Sequence, residues 1–197
     1  VCVSVQRVYA DQAIAEPLAR RLAEVGASMR VGSPLDAQTE VGPLIRPSEV
    51  ARVHEWVTEA VDAGARCLTG GQPLSDTCYP PTVLVDPPAR VRVSREEVFG
   101  PVVCVYPYRD AESAIQRANG LRSAFQAAVF SRDIDFALGA ASKLAASAVM
   151  INDHTAFRVD WMPFAGLKES GLGVGGIPYS FRDMRVEKLI VMHSPHL

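Results

Sequence analysis

Between residues 110 and 151 the chain switches repeatedly between two hydrophobic periods, and this constrains its fold more than any other feature. Asp110 to Asn119 repeats at helical spacing and closes on Gly120, Phe125 to Phe130 reads as a strand, Asp133 to about Ala146 as a long Ala-rich helix, and Ala148 to Ile151 as a buried strand. A strand, a helix and a second strand in that order need a crossover, so the pattern predicts repeated βαβ units in a parallel sheet. Ala127–Phe130 and Ala148–Ile151 are continuously apolar, as strands covered on both faces are. The fold class is therefore α/β.

The upstream chain alternates in the same way. Val1 to Ala10 tends toward a strand, most strongly over Gln6–Ala10. Asp11 caps a helix running to about Met29, with Ile14, Leu18, Leu22 and Val25 as its apolar stripe. A second helix begins at Ser48 with Val50, Val53, Val57 and Val61 as its stripe, stops near Gly64, and is followed by a short strand at Cys67-Leu68. Thr82–Val85 and Val102–Tyr106 read as strands, while 32–47 and 70–81 read as loops. After Asn152 come about two dozen residues rich in Gly, Pro and aromatics, too long for a connector and so expected to carry function. A short helix from Tyr179 and a closing strand, Lys188–Met192, finish the chain. With 197 residues, 48% of them hydrophobic, one domain is favoured over two small ones. The opening Val-Cys-Val-Ser-Val is an alternation already under way without a methionine, which predicts a piece of a longer protein.

Composition narrows the partners. A net charge of −2, from 20 basic and 22 acidic residues, supplies no basic stripe for nucleic acid and leaves a small molecule as the expected partner. No run approaches the length of a transmembrane helix, so no membrane partner is expected. The four cysteines, at 2, 67, 78 and 104, are far apart and contain no Cys-x-x-Cys pair; neither zinc nor a disulfide framework is indicated, and a reducing, cytoplasmic compartment is expected. No Gly-x-Ser-x-Gly elbow occurs. Gly171–Gly176 allows a phosphate-loop reading, but it follows no strand directly and has no Lys-Ser/Thr pair, which favours a turn-rich loop.

The chemistry-bearing stretch is Arg95-Glu96-Glu97-Val98-Phe99-Gly100-Pro101-Val102-Val103. Pro101 presets its own φ and pushes Gly100 out of the helical region, so rigid backbone aims Glu97 and Phe99. Taken alone it is an acidic surface turn, yet a large ring beside paired acids calls for a ligand to cover it. Cys2 is a candidate nucleophile, since a reactive thiol needs a positive or hydrogen-bonding surround; the competing reading is a buried structural cysteine. Arg158, within Ala156-Phe157-Arg158-Val159-Asp160, either anchors an anion or pairs with Asp160.

Five stretches together resemble the aldehyde dehydrogenase superfamily: residues 1–10, Val-Gly-Pro-Leu-Ile at 41–45, Glu-Glu-Val-Phe-Gly-Pro-Val at 96–102, Ile-Asn at 151–152 and Pro-Phe-Ala-Gly-Leu-Lys-Glu-Ser-Gly at 163–171. The resemblance is to the C-terminal half of the family. It implies a three-layer parallel-sheet catalytic domain over 1–186, truncated at its N-terminus, and a C-terminal oligomerisation strand and tail over 187–197. It implies that Cys2 attacks an aldehyde to give a thiohemiacetal, that Glu97 holds the nicotinamide ribose hydroxyls of NAD or NADP, that Phe99 lies beside the nicotinamide, and that Phe164 lines the substrate tunnel. Asn152 matches a position that orients the long loop. Phe-Arg-Val-Asp before Met162-Pro163-Phe164 resembles subfamilies acting on small aldehydes with an anionic end, which makes Arg158 the anchor. Ala165 stands where the family often has Gly, and Val174-Gly175 where many members have Arg-Glu. The cofactor-binding domain, the general base and the oxyanion donor lie before the matching cysteine, so the choice between NAD and NADP is not legible and residues 1–197 alone are expected to be inactive. A homodimer or homotetramer follows from the family. The rival readings are a non-catalytic assembly module and a thiol esterase using Cys2 with His154 as base.

Overall fold

Asp11 does two jobs at the start of the chain. It ends β1 (Arg7–Asp11), and its carboxylate accepts from the Ala13 backbone N–H at 2.8 Å to cap α1 (Gln12–Ser28). The computed structural model describes residues 2–196; Val1 and Leu197, the ends of the expected first strand and of the tail, lie outside the described residues. Two compact units divide between Ala118 and Asn119, inside the span that the sequence reading takes as one catalytic domain.

The first unit is built on a four-stranded sheet of order β1-β4-β3-β2, where β2 is Arg66–Thr69, β3 Thr82–Val85 and β4 Val102–Tyr108. β4 pairs in parallel with β1 (Arg7 opposite Cys104) and with β3 (Leu84 opposite Cys104), while β2 joins the edge antiparallel to β3. Every residue of β3 is buried, and its neighbours alternate between two cores. Val83, Val85 and Val105 pack with α1 on one face, whereas Leu84, Val102, Cys104 and Tyr106 pack on the other with Val50, Val53 and Val57 of α2 (Pro47–Asp62). Helix, sheet and helix therefore form three layers.

The buried stripes differ from those expected. α1 buries Ala15, Ala19, Ala23 and Gly26, while Ile14 and Val25 are exposed and Leu18 and Leu22 only flank the core. Small residues let α1 lie close to the sheet, and a Cβ on Gly26 would sit 3.2 Å from the Pro81 Cβ. In α2 the fourth buried position is Ala60 and not Val61. The first strand begins only at Arg7, with residues 2–4 in a turn, because the ladder to β4 begins there. A short helix absent from the sequence reading, α3 (Arg92–Arg95), precedes the Glu97 loop, and α4 (Ala111–Asn119) follows β4.

The second unit holds a βαβ element in which β6 (Gln126–Val129) and β7 (Ala148–Ile151) pair in parallel through the crossover helix α5 (Ile134–Lys143). Asp133 caps α5 by accepting from the Asp135 and Phe136 N–H groups, both at 3.0 Å. The strand expected at Phe125–Phe130 is split at Phe125: β5 (Ser123–Ala124) pairs antiparallel with β8 (Leu167–Lys168), a partner far along the chain. Apart from buried Met150, β6 and β7 are half-buried within this chain, not covered on both faces. α6 (Ile177–Asp183) closes the regular structure.

The closing strand expected at Lys188–Met192 is not a strand here. It has no ladder partner among the described residues, and Leu189, Ile190, Val191 and Met192 are all exposed. A strand exists only through its neighbour's backbone groups, which a sequence pattern does not supply.

Candidate active site

Along the loop from Glu96 to Pro101 a single buried residue, Val98, stands between exposed neighbours, and that placement presents the loop's chemistry. Val98 is buried in the core beside Val53, while Glu97 and Phe99 on either side face outward. Gly100 is required by close approach, since a Cβ there would meet the Val53 Cγ2 at 2.9 Å. Pro101 O accepts from the Thr82 N–H at 2.8 Å, which ties the end of the loop to the start of β3. Phe99 is held at φ 48°, a left-handed conformation that costs a side-chain-bearing residue roughly 1–2 kcal/mol, and its ring is 60% exposed. An acceptor-only carboxylate and a bare aromatic face thus stand two residues apart on a braced turn.

Two braces hold it, and sequence reasoning missed both. The Gln6 Nε2 donates to Val93 O at 2.9 Å and to Glu96 O at 2.8 Å, and its Oε1 accepts from the Val98 N–H at 2.8 Å. From the other side an Arg52 N–H donates to Val98 O at 2.6 Å, while the guanidinium pairs with Glu49 and lies 4.6 Å from the Trp56 ring centre. The signal for Gln6 was present but slight: one neutral polar residue where an apolar alternation gives way to a strand.

Cys2 is exposed in the turn at residues 2–4, four residues before Gln6, so the buried structural reading of this cysteine does not hold. Cys104 is its opposite: inside β4, burial pushes its thiol up to about 12, which keeps it protonated and unreactive. Burial also raises the Cys67 thiol, which donates to Thr69 O at 3.3 Å. All four cysteines are free, and among the described residues no group of His, Cys, Asp and Glu could hold a metal ion. No helix of the described chain is long and apolar enough to cross a membrane.

In the second unit, Asn152 grips the backbone of Ser131 with its side-chain amide, donating to O and accepting from N–H at 2.9 Å each, and adopts φ 58°. That clamp directs the long loop after β7. Phe164 exchanges two backbone hydrogen bonds with Gly175, and its ring meets Phe125 edge-on at 4.9 Å. The Arg158 guanidinium lies 4.8 Å from the Phe164 ring centre, and among the described residues it makes no ion pair with Asp160, whose backbone O instead accepts from Ile177. Of the two sequence readings of Arg158, the intramolecular pair is therefore not formed. The glycine-rich stretch is a turn: the Gly175 N–H is spent on Phe164 O, and a Cβ on Gly176, at φ 113°, would meet Met162 O at 2.5 Å. Lys168 is likewise committed, donating to Asn119 O and Leu121 O at 2.5 and 2.8 Å. The exposed His154 accepts the Ala156 N–H on Nδ1 at 3.1 Å.

The model of the aldehyde dehydrogenase family matches residues 1–190. The chain is 39% identical over 193 residues to the 3-sulfolactaldehyde dehydrogenase of Priestia megaterium, covering 98% of this chain and 40% of that protein. It is 35% identical to the lactaldehyde dehydrogenase of Methanococcus maripaludis, with 98% and 41% covered. Among solved structures it resembles the aldehyde dehydrogenase 21 of Physcomitrella patens in complex with the reaction product succinate, at a TM-score of 0.89, 33% identity and coverage of 93% of this chain and 38% of that one. The glyceraldehyde-3-phosphate dehydrogenase of Methanocaldococcus jannaschii, complexed with NADP, gives a TM-score of 0.88 at 34% identity, with 93% and 40% covered. The chain spans about two fifths of the length of the curated relatives it matches. With the family model covering nearly all of it and the α/β architecture in agreement, the chain belongs to the aldehyde dehydrogenase family.

Proposed function

We propose that this chain is the nucleophile-bearing part of an NAD(P)-dependent aldehyde dehydrogenase that oxidises a small aldehyde with an anionic end to its carboxylic acid. The observation that carries the reading is the braced loop: Glu97 and Phe99 are presented outward from a turn that Gln6 fastens to the segment bearing an exposed Cys2. These residues fit a nicotinamide nucleotide. An exposed carboxylate accepts from ribose hydroxyls, and an exposed ring offers a face to the nicotinamide. When bound, that group supplies the hydride acceptor.

The work of this chain's residues follows. The Cys2 thiolate adds to the aldehyde carbon, and the carbonyl pair moves onto oxygen to give a thiohemiacetal anion. As that oxygen reforms its double bond, the hydrogen on carbon departs with its electron pair and Cys2 carries a thioester. Water adds to the thioester carbon, the C–S bond breaks, and the acid leaves with the thiolate restored. The base that takes the water's proton is supplied from outside residues 1–197. Glu97 holds the cofactor and Phe99 covers it, while Phe164 gives the aldehyde an apolar wall and Arg158 pairs with its anionic end. Phosphate, sulfonate and carboxylate groups in the names of the similar dehydrogenases and their complexes support that preference. The exposed apolar run Leu189–Met192 supports a homodimer or homotetramer assembled through residues 187–197. Free cysteines support a reducing, cytoplasmic setting.

Acid-quench mass spectrometry of the full-length enzyme during turnover tests the proposal. An acyl adduct on the peptide holding Cys2, absent from Cys2→Ala, is the expected result. An adduct elsewhere, or turnover that survives Cys2→Ala, overturns it.

A further inference from the structure

We infer that Gln6 is a positioning residue that fastens the Glu97–Phe99 turn to the nucleophile segment, so that cofactor loop and thiol are set as one piece. This rests on the reading of Glu97 and Phe99 given above. The bonds themselves show what is being held. Glu96 O and the Val98 N–H belong to the two peptide groups on either side of Glu97, and one side-chain amide grips both, at 2.8 Å each. With both flanking peptides fixed, the direction in which the Glu97 side chain leaves the backbone is fixed as well. The third bond, to Val93 O at 2.9 Å, extends the grip to α3.

The hand that grips is itself rigid, because Gln6 O accepts from the Cys104 N–H at 2.7 Å as the β1–β4 ladder begins. Only a primary amide of this length donates twice and accepts once without a charge. A glutamate keeps the acceptor but would face two carbonyl oxygens with none of the donors, and a methionine keeps the bulk without either. Arg52 supports the same turn from α2, at Val98 O. Through its side chain Gln6 joins the two stretches: it lies four residues after Cys2 and is bonded to residues 87 and 90 positions farther along.

The test compares Gln6→Met, Gln6→Glu and Glu97→Gln in the full-length enzyme. Hydrogen exchange of residues 93–101 is expected to quicken in both Gln6 variants, and the KM for the nicotinamide cofactor to rise about ten-fold. Aldehyde KM and the rate of Cys2 alkylation by iodoacetamide should stay within about two-fold of wild type, a split that general loosening of the fold would not give. Should Gln6→Met fail to fold, Gln6→Glu carries the same readouts. Unchanged exchange overturns the inference, as does faster exchange with an unchanged cofactor KM when Glu97→Gln has raised it. If Glu97→Gln leaves the cofactor KM untouched, the turn is not a cofactor loop; the underlying reading then falls, and the inference with it.

Discussion

Arg158→Ala in the full-length enzyme separates what the guanidinium does for a substrate from what it does for the protein. The structure supplies the second part. Arg158 lies 4.8 Å from the Phe164 ring centre, an exposed cation–π contact worth roughly 0.5–1 kcal/mol. Its loss loosens the ring for every aldehyde alike, by a factor of about two to five in kcat/KM. A charge-assisted contact to an anionic end group contributes roughly 1.5–3 kcal/mol more, on that substrate only. Since 1.4 kcal/mol is a factor of about ten, the anionic aldehyde should lose a further 10- to 150-fold relative to a neutral one of the same length. Arg158→Lys should recover part of that difference, because the charge remains while the two-pronged geometry is lost. Steady-state kcat/KM for the matched pair of aldehydes is the measurement. Equal losses on both would refute the anchor and leave Arg158 as ring support alone.

Four other outcomes are expected. Residues 1–197 on their own should show no aldehyde-dependent reduction of NAD or NADP, since the mechanism proposed above takes its base from outside them; absorbance at the reduced-nicotinamide band checks this, and turnover abolished by Cys2→Ser would refute it. Iodoacetamide at pH 8 should label Cys2 and spare Cys104 in the native protein, with all four cysteines labelled in denaturant, as peptide mapping would show. The folded Cys104 thiol is raised from an ordinary 9.0 to about 12, so its contribution to stability is complete below about 9 and declines as pH rises toward about 12, a trend that urea melts of wild type against Cys104→Ala would detect. Light scattering should find a dimer or larger, reverting to a smaller species when residues 187–197 are deleted; a soluble monomer indifferent to the deletion would show the tail to be unpaired.

What was legible in the sequence is what local periodicity and stereochemistry determine. Thr82–Val85 and Ala148–Ile151 are strands at the residues expected, because short apolar runs between breakers leave little choice. Asp11 caps α1 as expected for a carboxylate before an apolar-periodic segment, whereas Asp133, read as the first residue of its helix, is the cap of α5. The face of α1 was misjudged because Leu outranks Ala in hydrophobicity, yet close approach to the sheet selects Ala15, Ala19, Ala23 and Gly26. Phe125 breaks its strand because Ser123 and Ala124 answer to Leu167 and Lys168, a pairing no window of local sequence contains. Lys188–Met192 has the pattern of a strand but, among the described residues, no neighbour to make it one. In the proposed site, the outward placement of Glu97 and Phe99 was legible through the Gly-Pro corner beside them. Gln6 was barely so, since a hydrogen bond across 90 residues leaves no more mark than one neutral polar residue at the edge of an apolar alternation.

The energetics of the loop explain why the missed residue matters more than its inconspicuous position suggests. Holding Phe99 at φ 48° costs roughly 1–2 kcal/mol, and left alone the turn would relax to withdraw the ring. Val98 opposes that by staying buried against Val53, but a buried valine pins one side chain and leaves the peptides on either side free to turn. The three Gln6 bonds and the Arg52 bond to Val98 O fix those peptides. At roughly 0.5–1.5 kcal/mol net for each Gln6 bond and roughly 1.5–3 kcal/mol for the one from the charged guanidinium, they exceed the cost of the strained residue with something to spare. Removing Gln6 leaves the Arg52 bond, which holds the peptide after Val98 but not the one before it. The turn would then sample relaxed forms while the sheet beneath it stays folded. The strained, exposed geometry at Phe99 is thus a property of the nucleophile segment as much as of the loop that displays it.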